Sequence, residues 1–263
     1  MLLSTIKSPL RYPGGKSRAV KIIFEYIPFN TTELCSPFFG GGSFEIYCAS
    51  KGIRVYGYDN FQPLVDFWQW LLKDPEKLSN AVEKFHPLKR SDFYKLQQKH
   101  TESIDSFQRA VLFFILNRTS FSGSTLSGGM ASGGIDDNPR FTKSSIERLR
   151  NFRIQNLSVD LLDFGKSIAK HPDTLLYLDP PYIIDSKLYG IKGNLHKNFD
   201  HEAFASILKK RDKWILSYHD SAIIKDIYHD YQFVYPKWTY GMANDKRSRE
   251  ILILSNDLVK IKN

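Results

Sequence analysis

An α/β fold is predicted for this chain: a sheet of short apolar strands alternating with helices, interrupted by a run of helices. Three observations predict it. Strand-like and helix-like periodicities alternate at both ends of the sequence, whereas the stretch 62–153 carries helical stripes only. Strand-like runs also stop abruptly at glycine, proline or aspartate, as strands do at a ligand-binding sheet edge.

The elements follow in order. "ELCSPF" (33–38) is a strand, and three glycines separate it from a helix opening near Ser43 and carrying Phe44, Ile46 and Tyr47. "IRVYGYD" (53–59) is the next strand, so the three make a βαβ unit with a right-handed crossover. The pattern then changes. "PLVDFWQWLLK" (63–73) places Leu64, Val65, Phe67, Trp68, Leu71 and Leu72 on a 3.6-residue stripe, and further helices are predicted at 75–85, 91–99 and 106–118. A biased segment, "SGSTLSGGMASGG" (122–134), precedes one more helix in "TKSSIERLRNF", with Thr142 or Lys143 near its start. Alternation resumes with "IQNLSV", "TLLYLD", a helix after Asp200, "KWILSY" and a helix from Ser221. The final runs "YQFVYPKWTY" and "REILILS" read as an antiparallel pair around a turn at 241–247. The expected units are therefore 1–61 with 154–263, forming the sheet domain, and an insertion at 62–153.

Composition bounds the function. The 263 residues are 42% apolar, enough for a substantial core. A net charge of +9 calls for a polyanionic partner, nucleic acid or an anionic membrane surface. No basic amphipathic helix supports the membrane reading. Cys35 and Cys48 are too few for a disulfide framework or a metal cluster and fit a reducing cytosol. The start lacks the apolar core of a signal peptide, and the longest apolar run, 110–116, is too short to cross a bilayer. A soluble cytoplasmic protein without a metal is expected.

Chemistry concentrates where the strands stop. In "LYLDPPYIID" (176–185) the strand ends at Asp179, and Pro180 and Pro181 forbid both further sheet pairing and an immediate helix. A stiff loop should then present Asp179, free carbonyls and the Tyr182 ring at the sheet edge. "SPFFGGGSFEIY" lets backbone at Gly40–Gly42 approach a ligand, but it lacks the endings of a phosphate-binding loop. About twenty residues on, Asp59 ends the next strand, where a carboxylate can accept both hydroxyls of a ribose. The pair suggests a nucleoside-containing ligand, with Phe38, Phe39 and Tyr58 able to flank its base. "LRYPGGKSR" adds a second glycine turn, whose Arg11, Lys16 and Arg18 are surface charge or phosphate contacts.

Taken in order, "RYPGGK", "PFFGGGSF", "YDN" and "LDPPY" resemble the DNA adenine-N6 methyltransferases of the Dam type. "AVLFFILNRTSFSG" and "ILSYHDS" are similar to that family's Leu-Asn-Arg segment and to its late strand. The resemblance runs from Leu10 to Ser255. It implies a Rossmann-like seven-stranded methyltransferase sheet, S-adenosylmethionine as methyl donor, and 62–153 as a target-recognition insertion. It implies Tyr12, Lys16, Phe39, Gly40, Asp59 and Asp179 as cofactor contacts. Asp179 and the Pro180 carbonyl would accept the two N–H bonds of the adenine amine, exposing its lone pair, while Tyr182 stacks on a flipped base. Phe199 resembles a second aromatic beside that base, or else staples the following helix. Asn117, Arg118 and Ser122 would read DNA, the first two being natural partners of adenine and guanine edges. Ser122 stands where Dam-type chains often carry asparagine, and the segment beyond is poor in arginine, which argues against a GATC target. Lys143, Arg148, Arg150, Arg153, Lys246, Arg247 and Arg249 are candidate phosphate contacts. The implied function is site-specific methylation of adenine N6 in double-stranded DNA, with a cognate restriction endonuclease as a possible partner. The alternatives are cytosine N4 or an RNA base as acceptor, or a catalytically idle DNA-binding module.

Overall fold

The computed structural model describes residues 6–12, 14–102, 105–123, 125–126, 128–131, 138, 140–182, 199–236 and 250–259. Seven strands form one sheet: β1 (Glu33–Ser36), β2 (Arg54–Asp59), β3 (Leu157–Leu161), β4 (Leu175–Leu178), β5 (Trp214–His219), β6 (Gln232–Val234) and β7 (Glu250–Leu254). Their spatial order is β3-β2-β1-β4-β5-β7-β6. The first five pair in parallel, and β7 runs antiparallel to both β5 and β6. The expected terminal antiparallel pair is present. The turn at 241–247 and the basic residues Lys246, Arg247 and Arg249 lie outside the described residues.

The central strands are buried along nearly their whole length because helices cover both faces of the sheet. On one face lie α1 (Val20–Phe24) and α2 (Ser43–Ser50), whose Ile23, Phe44 and Cys48 pack with Leu34, Val55 and Tyr177. On the other lie α8 (Phe164–Lys170), α9 (His201–Leu208) and α10 (Ala222–Ile227), where Ile168, Phe204, Leu208 and Ile224 meet Leu176, Leu178 and Trp214. A short α11 (Asn256–Val259) ends the described chain. Neither α1 nor α8 was read from the sequence: α1 is a single turn with one fully buried side chain, and α8 is too short for a periodic stripe.

Between β2 and β3 come α3 (Gln62–Lys73), α4 (Pro75–Glu83), α5 (Arg90–Thr101), α6 (Ser106–Thr119) and α7 (Lys143–Arg150). The stripe on α3 buries Leu64, Val65, Phe67, Trp68 and Leu71, with the Phe67 ring stacked on Phe114 of α6. Nine residues of α6 are buried, so this helix is the axis of the cluster. Thr142 caps α7 by a reciprocal box with Ser145, choosing between the two starts the sequence allowed. One core contains Phe39, Ile46 and Val159 together with the apolar faces of α3 to α7. Helix α3 joins the two parts, since Gln69 Nε2 donates to the Val159 carbonyl at 3.1 Å and Trp68 Nε1 to the Gly40 carbonyl at 3.0 Å. No helix among the described residues is long and apolar enough to cross a membrane.

Candidate active site

The order of the sheet reverses between β1 and β4, and a cavity of about 470 Å³ opens beyond their carboxyl ends. Its wall comes from the loops after β1 (Phe38–Glu45), β2 (Asp59, Asn60), β3 (Asp163, Phe164) and β4 (Asp179–Tyr182). Tyr12, Gly14, Gly15, Lys16, Phe199 and Asp200 complete it.

The glycines act by admitting rings. A Cβ on Gly40 or Gly41 would lie 2.8 or 2.6 Å from the Tyr12 side chain, so Tyr12 rests directly on the turn. Gly42 and Gly57 make the same room for Phe39, which is buried against Trp68. Gly40 and Gly42 also adopt positive φ, which glycine tolerates without strain. Phe39 therefore supports the turn from below, while Phe38 stacks on Phe164 at 5.6 Å within the cavity wall. Tyr58 does not flank a ligand there. It is buried on the other side, its hydroxyl 2.8 Å from His171 Nε2. Strand alternation explains the difference, since Tyr58 and Asp59 leave opposite faces.

Asp59 sits where expected, with Oδ2 accepting from the Gly40 amide and Oδ1 from the Phe61 amide, both at 3.0 Å. Burial pushes its carboxyl up to about 6 despite these bonds.

At the other end, Lys16 is buried and gathers the acids. Its Nζ donates to Asp179 Oδ1 and Oδ2 at 2.8 and 2.7 Å, to the Gly14 carbonyl at 3.1 Å and to the Tyr182 hydroxyl at 2.8 Å. The Tyr182 hydroxyl also lies 2.8 Å from Asp179 Oδ1, 2.7 Å from Glu250 Oε1 and 3.3 Å from Ser217 Oγ. Lys16 reaches Glu250 Oε1 at 3.3 Å. A third carboxylate, Glu45 in the first turn of α2, is buried beneath the glycine turn and accepts from Ser36 Oγ at 2.7 Å. Burial pushes Glu45 up to about 7 and raises Glu250. So Asp179, Glu45 and Glu250 surround one lysine, an arrangement suited to a ligand that brings positive charge.

Sequence reasoning assigned no role to Glu45 or Glu250. The available signals were an acid in an otherwise apolar first turn, "SFEIY", and an acid opening an apolar strand, "EILIL".

The remaining predicted residues fall elsewhere. Phe199 lies in an aromatic cluster with Phe38, Phe164 and Phe204 at 5.4–5.6 Å and reaches the cavity wall. Asn117 is fully buried, and its amide brackets the backbone of Arg11: Oδ1 accepts from the Arg11 amide and Nδ2 donates to its carbonyl, both at 2.9 Å. An amide used in this way holds the first segment onto α6 and presents no edge to a base. Arg118 donates to the Arg140 carbonyl at 2.6 and 2.9 Å. Burial, then Arg148, Arg11 and Arg140 beside it, lowers its guanidinium to about 10. Ser122 falls in a 3₁₀ turn, Phe121–Gly123, at the end of this basic region.

Comparison with known proteins agrees with this geometry. The profile described as "D12 class N6 adenine-specific DNA methyltransferase" matches residues 12–242. The chain is 24% identical to a DNA adenine methylase of Haemophilus influenzae, covering 91% of this chain and 89% of that protein. It is 26% identical to the DNA adenine methylase of Escherichia coli K12 over 66% of this chain and 64% of that one. A third relative, modification methylase LlaI of Lactococcus lactis, is 24% identical over 79% of this chain, which spans only 35% of that longer protein.

Proposed function

Because the chain belongs to the D12 class of N6 adenine-specific DNA methyltransferases, we propose that its cavity takes S-adenosylmethionine and meets an adenine flipped out of duplex DNA. The reaction of the class is methyl transfer to adenine N6 in DNA. The donor, the residue roles and the limits of the two units are inferences from the site.

The observation that carries them is the placement of Asp179. Each carboxylate oxygen has two lone pairs. Oδ1 meets Lys16 and Tyr182, whereas Oδ2 meets Lys16 alone among the described residues, so Oδ2 keeps one direction for an incoming N–H. When bound, the donor supplies an electrophilic methyl group on a sulfonium sulfur. With its hydrogens held by Asp179 and the Pro180 carbonyl, adenine N6 would direct its lone pair at that methyl group, the departing sulfur keeping the bonding pair. N6 then sheds one proton to the Asp179 carboxylate, and the N–H pair returns to nitrogen. Asp179 and the Pro180 carbonyl favour this by accepting the amine hydrogens, an electrostatic and positional contribution. Tyr182 borders the base, and Phe199 closes its far side.

At the donor end the residues fit the proposed cofactor. Asp59 has the ordered, partly buried carboxylate that two ribose hydroxyls require. Tyr12 and Gly40 form a flat wall, and the acid excess around Lys16 suits a sulfonium. In this reading 1–61 and 154–263 make the catalytic unit and 62–153 the target-recognition insertion, with Arg118, Arg148 and the turn carrying Ser122 towards DNA. Asn117 acts indirectly, by fixing Arg11. The name of the Lactococcus relative suggests a restriction endonuclease as partner.

The test is single-turnover transfer of labelled methyl groups from S-adenosylmethionine to DNA, with methyladenine positions mapped by sequencing. Asp179→Ala should reduce transfer by at least about 10²–10³-fold, as loss of a transition-state acceptor does, with DNA affinity retained. Transfer by this variant at the parent rate would refute the assignment.

A further inference from the structure

The acid that opens β7 is placed by topology at a distance of 68 residues from the loop it serves. Because β7 runs antiparallel to β5, its first residue pairs with the last of β5, Glu250 opposite His219. The reversed strand thus brings its start to the edge where the parallel strands end. Ile251, Leu252, Ile253 and Leu254 are core residues, and Glu250 is itself 4% exposed. A carboxylate buried at this depth is retained for a reason other than solubility.

Glu250 shares one proton with Asp179. The Tyr182 hydroxyl accepts from Lys16 and has one hydrogen to donate, yet two carboxylate oxygens stand within reach, Asp179 Oδ1 at 2.8 Å and Glu250 Oε1 at 2.7 Å. Only one can receive it. When Glu250 is ionised it draws the hydrogen, and Asp179 Oδ1 loses a donor. The Asp179 carboxylate then carries more unshared negative charge and pulls harder on the hydrogens of an adenine amine. When Glu250 is protonated it donates to the phenol oxygen, the phenol donates to Asp179, and that pull weakens.

We propose that Glu250 is a positioning residue of the methyl-transfer step: by competing with Asp179 for the Tyr182 hydrogen, it sets how strongly Asp179 acts on the adenine amine. The inference rests on the methyl-transfer reading above and deepens it. Among the described residues, the groups facing Glu250 are Lys16 from the N-terminal segment, Tyr177 of β4, Asp179 and Tyr182 from the loop after β4, and the Ser217 hydroxyl of β5 through Tyr182. Burial raises the Glu250 carboxyl above its ordinary range, with Asp179 acting the same way and Lys16 opposing. The competition therefore responds to pH above the window of an exposed glutamate.

The experiment is single-turnover methyl transfer as a function of pH for the wild type, Glu250→Gln, Tyr182→Phe and the double variant. Thermal unfolding and DNA affinity are measured in parallel. Glu250→Gln keeps the shape but is a weaker, untitratable acceptor, so it mimics the protonated acid. The wild-type rate should rise with pH through the Glu250 ionisation, whereas Glu250→Gln should stay near the acid plateau, about 10-fold or more below wild type at neutral pH. In a Tyr182→Phe background the Glu250→Gln change should cost nothing more, because the hydroxyl carrying the effect is gone. Equal pH profiles for wild type and Glu250→Gln, or full additivity in the double variant, would overturn the proposal and leave Glu250 as a counter-charge for Lys16. Should Tyr182→Phe fail to fold, the comparison of the two pH profiles decides alone. A wild type that transfers no methyl group to DNA would instead refute the functional reading itself.

Discussion

Asp59 shows how one side chain couples a turn, a ligand and pH. Its two oxygens each hold a backbone N–H, one in the glycine turn and one at the entry to α3, while burial works against its charge. If it also accepts ribose hydroxyls, Asp59→Asn should weaken S-adenosylmethionine binding by about 1.5–3 kcal/mol, the range for charge-assisted hydrogen bonds. The carboxyl is raised to about 6, so the ionised acceptor is present above that pH and is lost below it. Donor affinity of the wild type should accordingly fall as pH drops from 7 to 5, and that of Asp59→Asn should change less. Calorimetry at the two pH values checks both statements; equal pH dependence would remove Asp59 from the ribose site. Asp59 and Asp179 could be found in the sequence because each is an acid that ends a strand, Asp59 about twenty residues after a glycine turn and Asp179 directly before two chain-stiffening prolines. Glu45 and Glu250 could not, because their meaning depends on Ser36 and Tyr182, partners that only the folded sheet brings near.

Helices were the easier elements to read where one apolar stripe met one core. The α3 pattern and the Thr142 start of α7 are cases of local chemistry deciding an element. The fates of Asn117 and Tyr58 were hidden because they depend on which face of an element meets which neighbour. Within the helical cluster, α5 buries His100, whose Nε2 has no hydrogen-bond partner among the described residues. Burial, and then Arg109, lower its imidazole to about 4. In the unfolded chain the same group titrates near 6.5. Above that pH it is neutral in both states; between 6.5 and 4 only the unfolded chain takes up the proton, so stability falls as pH falls. The loss amounts to about 3 kcal/mol once pH is below both values. His100→Leu should therefore lose less thermal stability than the wild type between pH 7 and pH 5. An unchanged difference in Tm between the two pH values would show that His100 is not the group responsible.

Across the whole molecule, the segment that supplies Lys16 is a second tie, beside α3, between the sheet and the helical cluster. Asn117 at the end of α6 fixes Arg11; Tyr12 then lies on Gly40 and Gly41; Lys16 follows and holds Asp179. Asp179 is thus connected mechanically to the helices that carry Arg118 and Arg148. The chain carries a net charge of +9, and Arg118 feels Arg148, Arg11 and Arg140 as like charges because these groups crowd one region, the face proposed above to meet DNA. Crowding of this kind is unfavourable in the free protein and is relieved by a polyanion, so it favours duplex binding over the free state. Each phosphate neutralised contributes about −0.9 to the slope of log K against log salt. Binding to a duplex should therefore weaken steeply with salt. Arg148, exposed on α7, is the member of the group whose removal disturbs the core least. Arg148→Gln should make the slope shallower by about 0.9 and weaken binding equally on duplexes with and without the methylated site, because a phosphate contact carries no base information. Titration of labelled duplexes over a range of potassium chloride concentrations measures both quantities. A slope unaltered by Arg148→Gln would place the DNA on another face of the molecule, whereas a loss confined to the methylated site would make Arg148 a base reader.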